Sequence, residues 1–135
     1  MNLQSHFLSV HGNNEKVLRI NGAVSGTGGI NIEGNSVLEV AGDNSFSGNT
    51  TINAGKIKMI SGGDLGASLI QIGANGQFDL NGVNTTVSGV KEVGTSNGGT
   101  VSLGSGTLTI NGANKGTLFQ NSISGTGGIT MAGSG

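Results

Sequence analysis

The sequence predicts an all-β chain: a right-handed parallel β-helix, a solenoid of about 20 residues per coil and roughly six coils. Three observations predict it. Apolar–polar–apolar triplets recur from one end to the other. Clusters of Gly, Asn, Ser and Asp separate them. Equivalent residues return at steps of 20 or 21 along the chain. The handedness follows from the strong bias of parallel crossovers.

The triplets are Leu8-Ser9-Val10, Leu18-Arg19-Ile20, Ile30-Asn31-Ile32, Leu38-Glu39-Val40, Ile57-Lys58-Met59, Ile70-Gln71-Ile72, Phe78-Asp79-Leu80, Val101-Ser102-Leu103, Leu108-Thr109-Ile110 and Ile129-Thr130-Met131. Each carries the period-2 signature of a half-buried strand. Turn residues lie between them, and no stretch shows a capped 3.6-residue period. Ile32, Ile52 and Ile72 recur at steps of 20, as do Gly42, Gly62 and Gly82; Gly34, Gly55 and Gly76 recur at steps of 21. Coils in register stack at the strand spacing of about 4.8 Å, giving a rod about 30 Å long. Ile32, Ile52 and Ile72 are expected to form one interior ladder, and Val40, Met59 and Leu80 another. Each buried aliphatic side chain contributes about 1.5–3 kcal/mol. The period loosens after Leu80, where VSGVKEVGTSNGG predicts a less regular coil.

Composition agrees. Gly supplies 28 of 135 residues and Pro none. Glycine turns corners at φ > 0, whereas a proline would remove a donor from strands paired on both sides. Aromatics are four Phe, so the core is narrow and aliphatic. There is no Cys, so regular backbone pairing must hold the fold. A net charge of −1 with 10% charged residues disfavours nucleic acid as a partner. No apolar run is long enough for a membrane helix, so no membrane insertion of this segment is expected. The N-terminus lacks the charged and apolar regions of a signal peptide. Residues 1–135 are read as a single β-helical segment, a fragment of something longer.

The hexapeptide SGTGGI occurs at Ser25–Ile30 and again at Ser124–Ile129, 99 residues apart, within flanks that also match. It predicts a tight corner and a super-repeat whose equivalent points bracket the chain. The stretch GGINIEGNSVLEVAGDNSFSGNTTINAGKIKM, Gly28–Met59, then resembles the passenger-associated repeat of bacterial autotransporters. Gly28, Gly29, Ile30, Leu38, Val40, Gly42, Asn44, Phe46, Ser47, Gly48, Thr50 or Thr51, Ile52, Gly55 and Ile57 stand at its positions. Asn35, Val37 and Phe46 depart from it conservatively. The stretch beginning LGSGTLTINGANKG resembles the approach to a next copy. Membership in that family implies a β-helical passenger secreted by, or displayed on the cell surface of, a Gram-negative bacterium. It also implies a signal peptide and an outer-membrane barrel elsewhere in the full protein. Passengers of this kind serve as adhesins, toxins, proteases or shed ligands.

Catalytic chemistry finds little footing. Gly26-Thr27-Gly28-Gly29 lacks the third glycine of a dinucleotide loop, and no helix follows to bind phosphate. No Asp follows the glycines as a calcium repeat requires. His6 and His11 are expected to stand without a co-located carboxylate, so no triad is expected. There is no zinc set, and no cofactor or metal is predicted. The NTT sequences at Asn49 and Asn84 match glycosylation sequons by chance.

The outward residues are the informative ones. Glu39, Lys58 and Asp79 should stack as an alternating −/+/− ladder, and Asn31, Thr51 and Gln71 as a neighbouring polar one. Lys56 should share the outward side of Lys58, with Lys16, Arg19 and Lys115 elsewhere. A solvated ladder is the plain alternative, worth at most about 1 kcal/mol per pair. The candidate partner-binding face is Arg19, Glu39, Lys56, Lys58, Asp79 and Lys91. The leading expectation is a non-enzymatic rod contacting a host cell-surface protein or glycan as an adhesin. The alternatives are a shed ligand that activates a host receptor, a pure stalk, and a carbohydrate-active enzyme. Lys58 between the two carboxylates, and the absence of an outward aromatic, weigh against the last. The rod is expected to be a monomer with end-to-end stacking through open strand edges.

Overall fold

The computed structural model describes residues 1–95, 97–112 and 120–134. It is a parallel β-solenoid of about six turns spaced about 21 residues apart. The strands are β1 (Leu8–Gly12), β2 (Val17–Ile20), β3 (Ile30–Gly34), β4 (Val37–Val40), β5 (Thr50–Met59), β6 (Leu69–Asp79), β7 (Thr85–Val87), β8 (Gly89–Glu92), β9 (Thr100–Ser102), β10 (Leu108–Ile110), β11 (Ser122–Ser124) and β12 (Ile129–Met131). Each coil visits three stacks. The first holds β1, β3, the start of β5, the start of β6, and β8. The second holds β2, β4, the ends of β5 and β6, then β9 and β11. The third holds β7, β10 and β12, with isolated bridges Asn2↔Ser25 and Asp43↔Asp64 earlier in the chain. β5 and β6 run round the corner between the first two stacks, with a register shift between Ile52 and Ala54.

Register follows the sequence periods. Ile32 pairs with Ile52 and Ile52 with Ile72, and all three are wholly buried. Leu38, Ile57, Phe78 and Val101 form a second buried ladder. Val40 pairs with Met59, and Leu80 follows the Lys58–Asp79 pair, so the other expected ladder is present as well. The step between coils flexes, from 19 at Leu38↔Ile57 to 23 at Phe78↔Val101, because the turns absorb insertions while the strands keep register. Thr50 lies wholly buried between Ile30 and Ile70; its hydroxyl is satisfied by the Ser68 hydroxyl at 2.8 Å.

Three strands lack the apolar–polar–apolar signature. In β7 the inward position before Val87 is Thr85, which is buried. β8 lies within VSGVKEVGTSNGG and has one apolar residue, Val90. β11 reads Ser-Ile-Ser, the reverse alternation. All three are held by strands of the coil beside them rather than by their own pattern.

SGTGGI is a corner in both copies, but not the same corner. Ser25–Ile30 leads from the third stack into the first, ending at the start of β3. Ser124–Ile129 leads from the second stack into the third, from β11 to β12. The matching segments around the hexapeptides are therefore rotated by one stack, and the expected equivalence of position does not hold. What the copies share is close packing. A Cβ on Gly28 would lie 1.8 Å from the His6 carbonyl oxygen, and one on Gly127 would lie 1.8 Å from that of Gly106.

Candidate binding surface

In the second stack, side chains alternate between core and solvent. Leu38, Ile57 and Phe78 point inward, so the residues after them point out. Arg19 pairs in register with Glu39, Glu39 with Lys58, and Lys58 with Asp79. The expected −/+/− ladder is thereby extended to +/−/+/−, and it continues through Ser102 and Ser124. Arg19 donates to Glu39 Oε2 through Nε at 2.7 Å and approaches it with Nη2 at 2.5 Å. Lys58 Nζ lies 4.0 Å from the other oxygen of Glu39. Among the described residues the cation nearest Asp79 is Lys56, not Lys58, at 4.0 Å. These pairs are partly exposed and contribute about 0–1 kcal/mol each. Interleaved carboxylates leave no continuous basic strip, so the ladder does not present the run of cations that a heparan-type glycan needs.

Lys91 stands apart. It pairs with Gln71 in the first stack, at the end of the polar ladder Ser9, Asn31, Thr51 and Gln71. That ladder is internally bonded: Thr51 donates to Gln71 at 3.1 Å, Asn53 to Asn31 at 3.1 Å, and Asn31 to Glu33 at 2.8 Å. Five of the six candidate residues thus share one stack and the sixth lies round the corner. Lys115 lies outside the described residues. His11 does have a carboxylate neighbour, Glu33 at 3.4 Å, contrary to the sequence reading. The contact comes from the pairing of β1 with β3, which the chain order conceals. Both side chains are exposed. Among the described residues no three His, Cys, Asp or Glu side chains converge as a metal site would require, and no helix is long and apolar enough to cross a membrane.

The solenoid and the outward ladder can be set beside known proteins. No family model matches the chain, and no solved structure matches it. Over 121 residues, 87% of its length, the chain is 37% identical to the adhesin BmaC autotransporter of Brucella suis biovar 1 (strain 1330). The chain fits a passenger β-helix segment of an autotransporter. It spans 4% of the length of that relative.

The residues at the repeat positions have identifiable tasks. Asn44 is buried and ties three coils together. Its Oδ1 accepts from Val24 N at 2.7 Å, and its Nδ2 donates to Gly42 O at 2.9 Å and Asp64 O at 2.7 Å. Phe46 is wholly buried beneath the same corner. A Cβ on Gly48 would lie 2.3 Å from the Gly28 carbonyl oxygen. The repeat motif located these residues; only the stacking shows that they join coils.

Proposed function

We propose that this chain is a non-enzymatic segment of an autotransporter passenger that is secreted or displayed on a Gram-negative cell surface. It acts there as a rigid rod of an adhesin and contacts host cell-surface molecules through the outward faces of its strands. The observation that carries the reading is the 37% identity to an autotransporter adhesin over nearly the whole solenoid. The face we favour is the Arg19–Glu39–Lys58–Asp79 ladder with Lys56, a flat alternating surface complementary to a partner with its own fixed charges.

The test is attachment of the purified segment to host epithelial cells. Charge reversal at Glu39, Lys58 and Asp79 together should reduce attachment strongly and make it less salt-dependent. Attachment of the triple variant equal to that of the parent would remove the ladder from the contact. A parent segment that attaches to no host cell would support a stalk instead.

A further inference from the structure

The corner between the first and second stacks is concave. It forms a groove of about 440 Å³ reaching from Glu15 through Asn35, Lys56 and Gln77 to Thr100. It crosses about five coils parallel to the rod axis, roughly 19 Å at the strand spacing. Gly55, Gly76 and Gly98 line it with bare backbone. These glycines are fixed by stacking: a Cβ on Gly55 would lie 2.4 Å from Ser36 O, and one on Gly76 would lie 2.3 Å from Ile52 O. The step of 21 shared by Gly34, Gly55 and Gly76 therefore keeps side chains out of the corner.

Free side-chain amides also occur elsewhere among the described residues, at Asn13, Asn14, Asn21 and Asn49, but here three of them line one groove. Asn31, Asn44, Asn53, Asn81 and Asn84 each hydrogen-bond to the fold. Asn35, Asn75 and Gln77 make no side-chain hydrogen bond among the described residues, although all three line the groove. Each offers both donors and an acceptor. The charged residues are one of each sign, Glu15 and Lys56, and Lys56 is already shared with Asp79. The neighbouring backbone is paired within the solenoid, as in Lys56 N to Ser36 O at 2.8 Å and Val37 N to Lys16 O at 2.8 Å. An extended peptide would find no free strand edge there to pair with. Apolar lining amounts to Val37 and Ala74, too little to anchor peptide side chains.

We propose that this groove binds a linear, uncharged glycan lying along the rod, its hydroxyls exchanging hydrogen bonds with Asn35, Asn75 and Gln77 over the glycine-lined backbone. The proposal rests on the adhesin reading for the origin of the glycan, but not for binding itself.

The test is titration of the chain with cello-, chito- and laminari-tetraose, followed by amide chemical shifts and calorimetry. A heparin tetrasaccharide and a neutral Ser/Gly/Val hexapeptide serve as competitors. At least one neutral tetraose should bind, with shifts confined to the groove. Asn75→Ala and Gln77→Ala should each weaken it about fivefold, the worth of one net hydrogen bond. Ala74→Trp, which fills the groove from an exposed position, should abolish it with the circular dichroism unchanged. Asn49→Ala, an exposed amide outside the groove, should leave it intact. Binding of none of the three sugars, preference for heparin or the peptide, or full binding by Ala74→Trp would overturn the proposal. Cell attachment is scored separately. Sugar binding without attachment counts against the adhesin reading alone, and attachment without sugar binding counts against the groove alone.

Discussion

Asn44→Ala should be among the most damaging polar substitutions in this protein. The side chain makes three hydrogen bonds, all to backbone groups and each 2.9 Å or shorter. The Gly42 carbonyl still accepts from Asp64 N at 3.2 Å after the change, so it is not orphaned. Val24 N and the Asp64 carbonyl lose the partner that Asn44 supplied, in the interior of a corner where Val24 is wholly buried. Two such groups at about 1–3 kcal/mol each give a loss of about 2–6 kcal/mol, with a centre near 4. Asn53→Ala is the control. It removes one exposed amide–amide contact of 3.1 Å and should cost under about 1 kcal/mol. Equilibrium urea unfolding followed by far-ultraviolet circular dichroism measures both. Because Asn44 joins successive coils, its loss should also broaden the transition, as expected when coupling between repeats weakens. An Asn44→Ala midpoint within error of the Asn53→Ala midpoint would refute the inter-coil tie.

Glycine positions separate steric from conformational cost. Gly28→Ala drives a methyl group into the His6 carbonyl and should cost more than about 3 kcal/mol, whereas Gly62→Ala, with nothing within 4 Å and φ of 76°, should cost only about 1–2 kcal/mol in thermal unfolding. Ile52→Ala empties the middle of the Ile32–Ile52–Ile72 ladder and should lower stability by about 2–5 kcal/mol in the same urea assay. Glu39→Gln, by contrast, should cost about 1 kcal/mol, and a difference that persisted undiminished at high salt would contradict the partly exposed setting of the ladder. Val17, Leu18, Ile123, Ile129 and Met131 are exposed on the terminal coils, so sedimentation should show association that rises with concentration; a single species at every concentration would count against end-to-end stacking.

By itself, the sequence determined the architecture. Ile32, Ile52 and Ile72 announce their stacking because a solenoid converts a fixed step along the chain into contact in space, and alternation within each triplet decides which side chain enters the core. The same logic made Glu39, Lys58 and Asp79 legible as one outward ladder. Where the pattern is carried by neighbours it fails, as in β7, β8 and β11, whose pairing is imposed by the coils beside them. Only the tertiary structure decided the rest. The repeated SGTGGI reads as one recurring position, yet its copies turn different corners, because five coils of the second stack, from Leu18 to Ile123, take 105 residues and a step of 99 falls short of that. Glu33 meets His11, Lys56 rather than Lys58 reaches Asp79, and Asn35, Asn75 and Gln77 gather along one groove. Those contacts depend on how side chains of unequal length lean across strands and how corners bend. A one-dimensional period fixes which residues share a ladder, but not which atoms meet or which polar groups the fold leaves free.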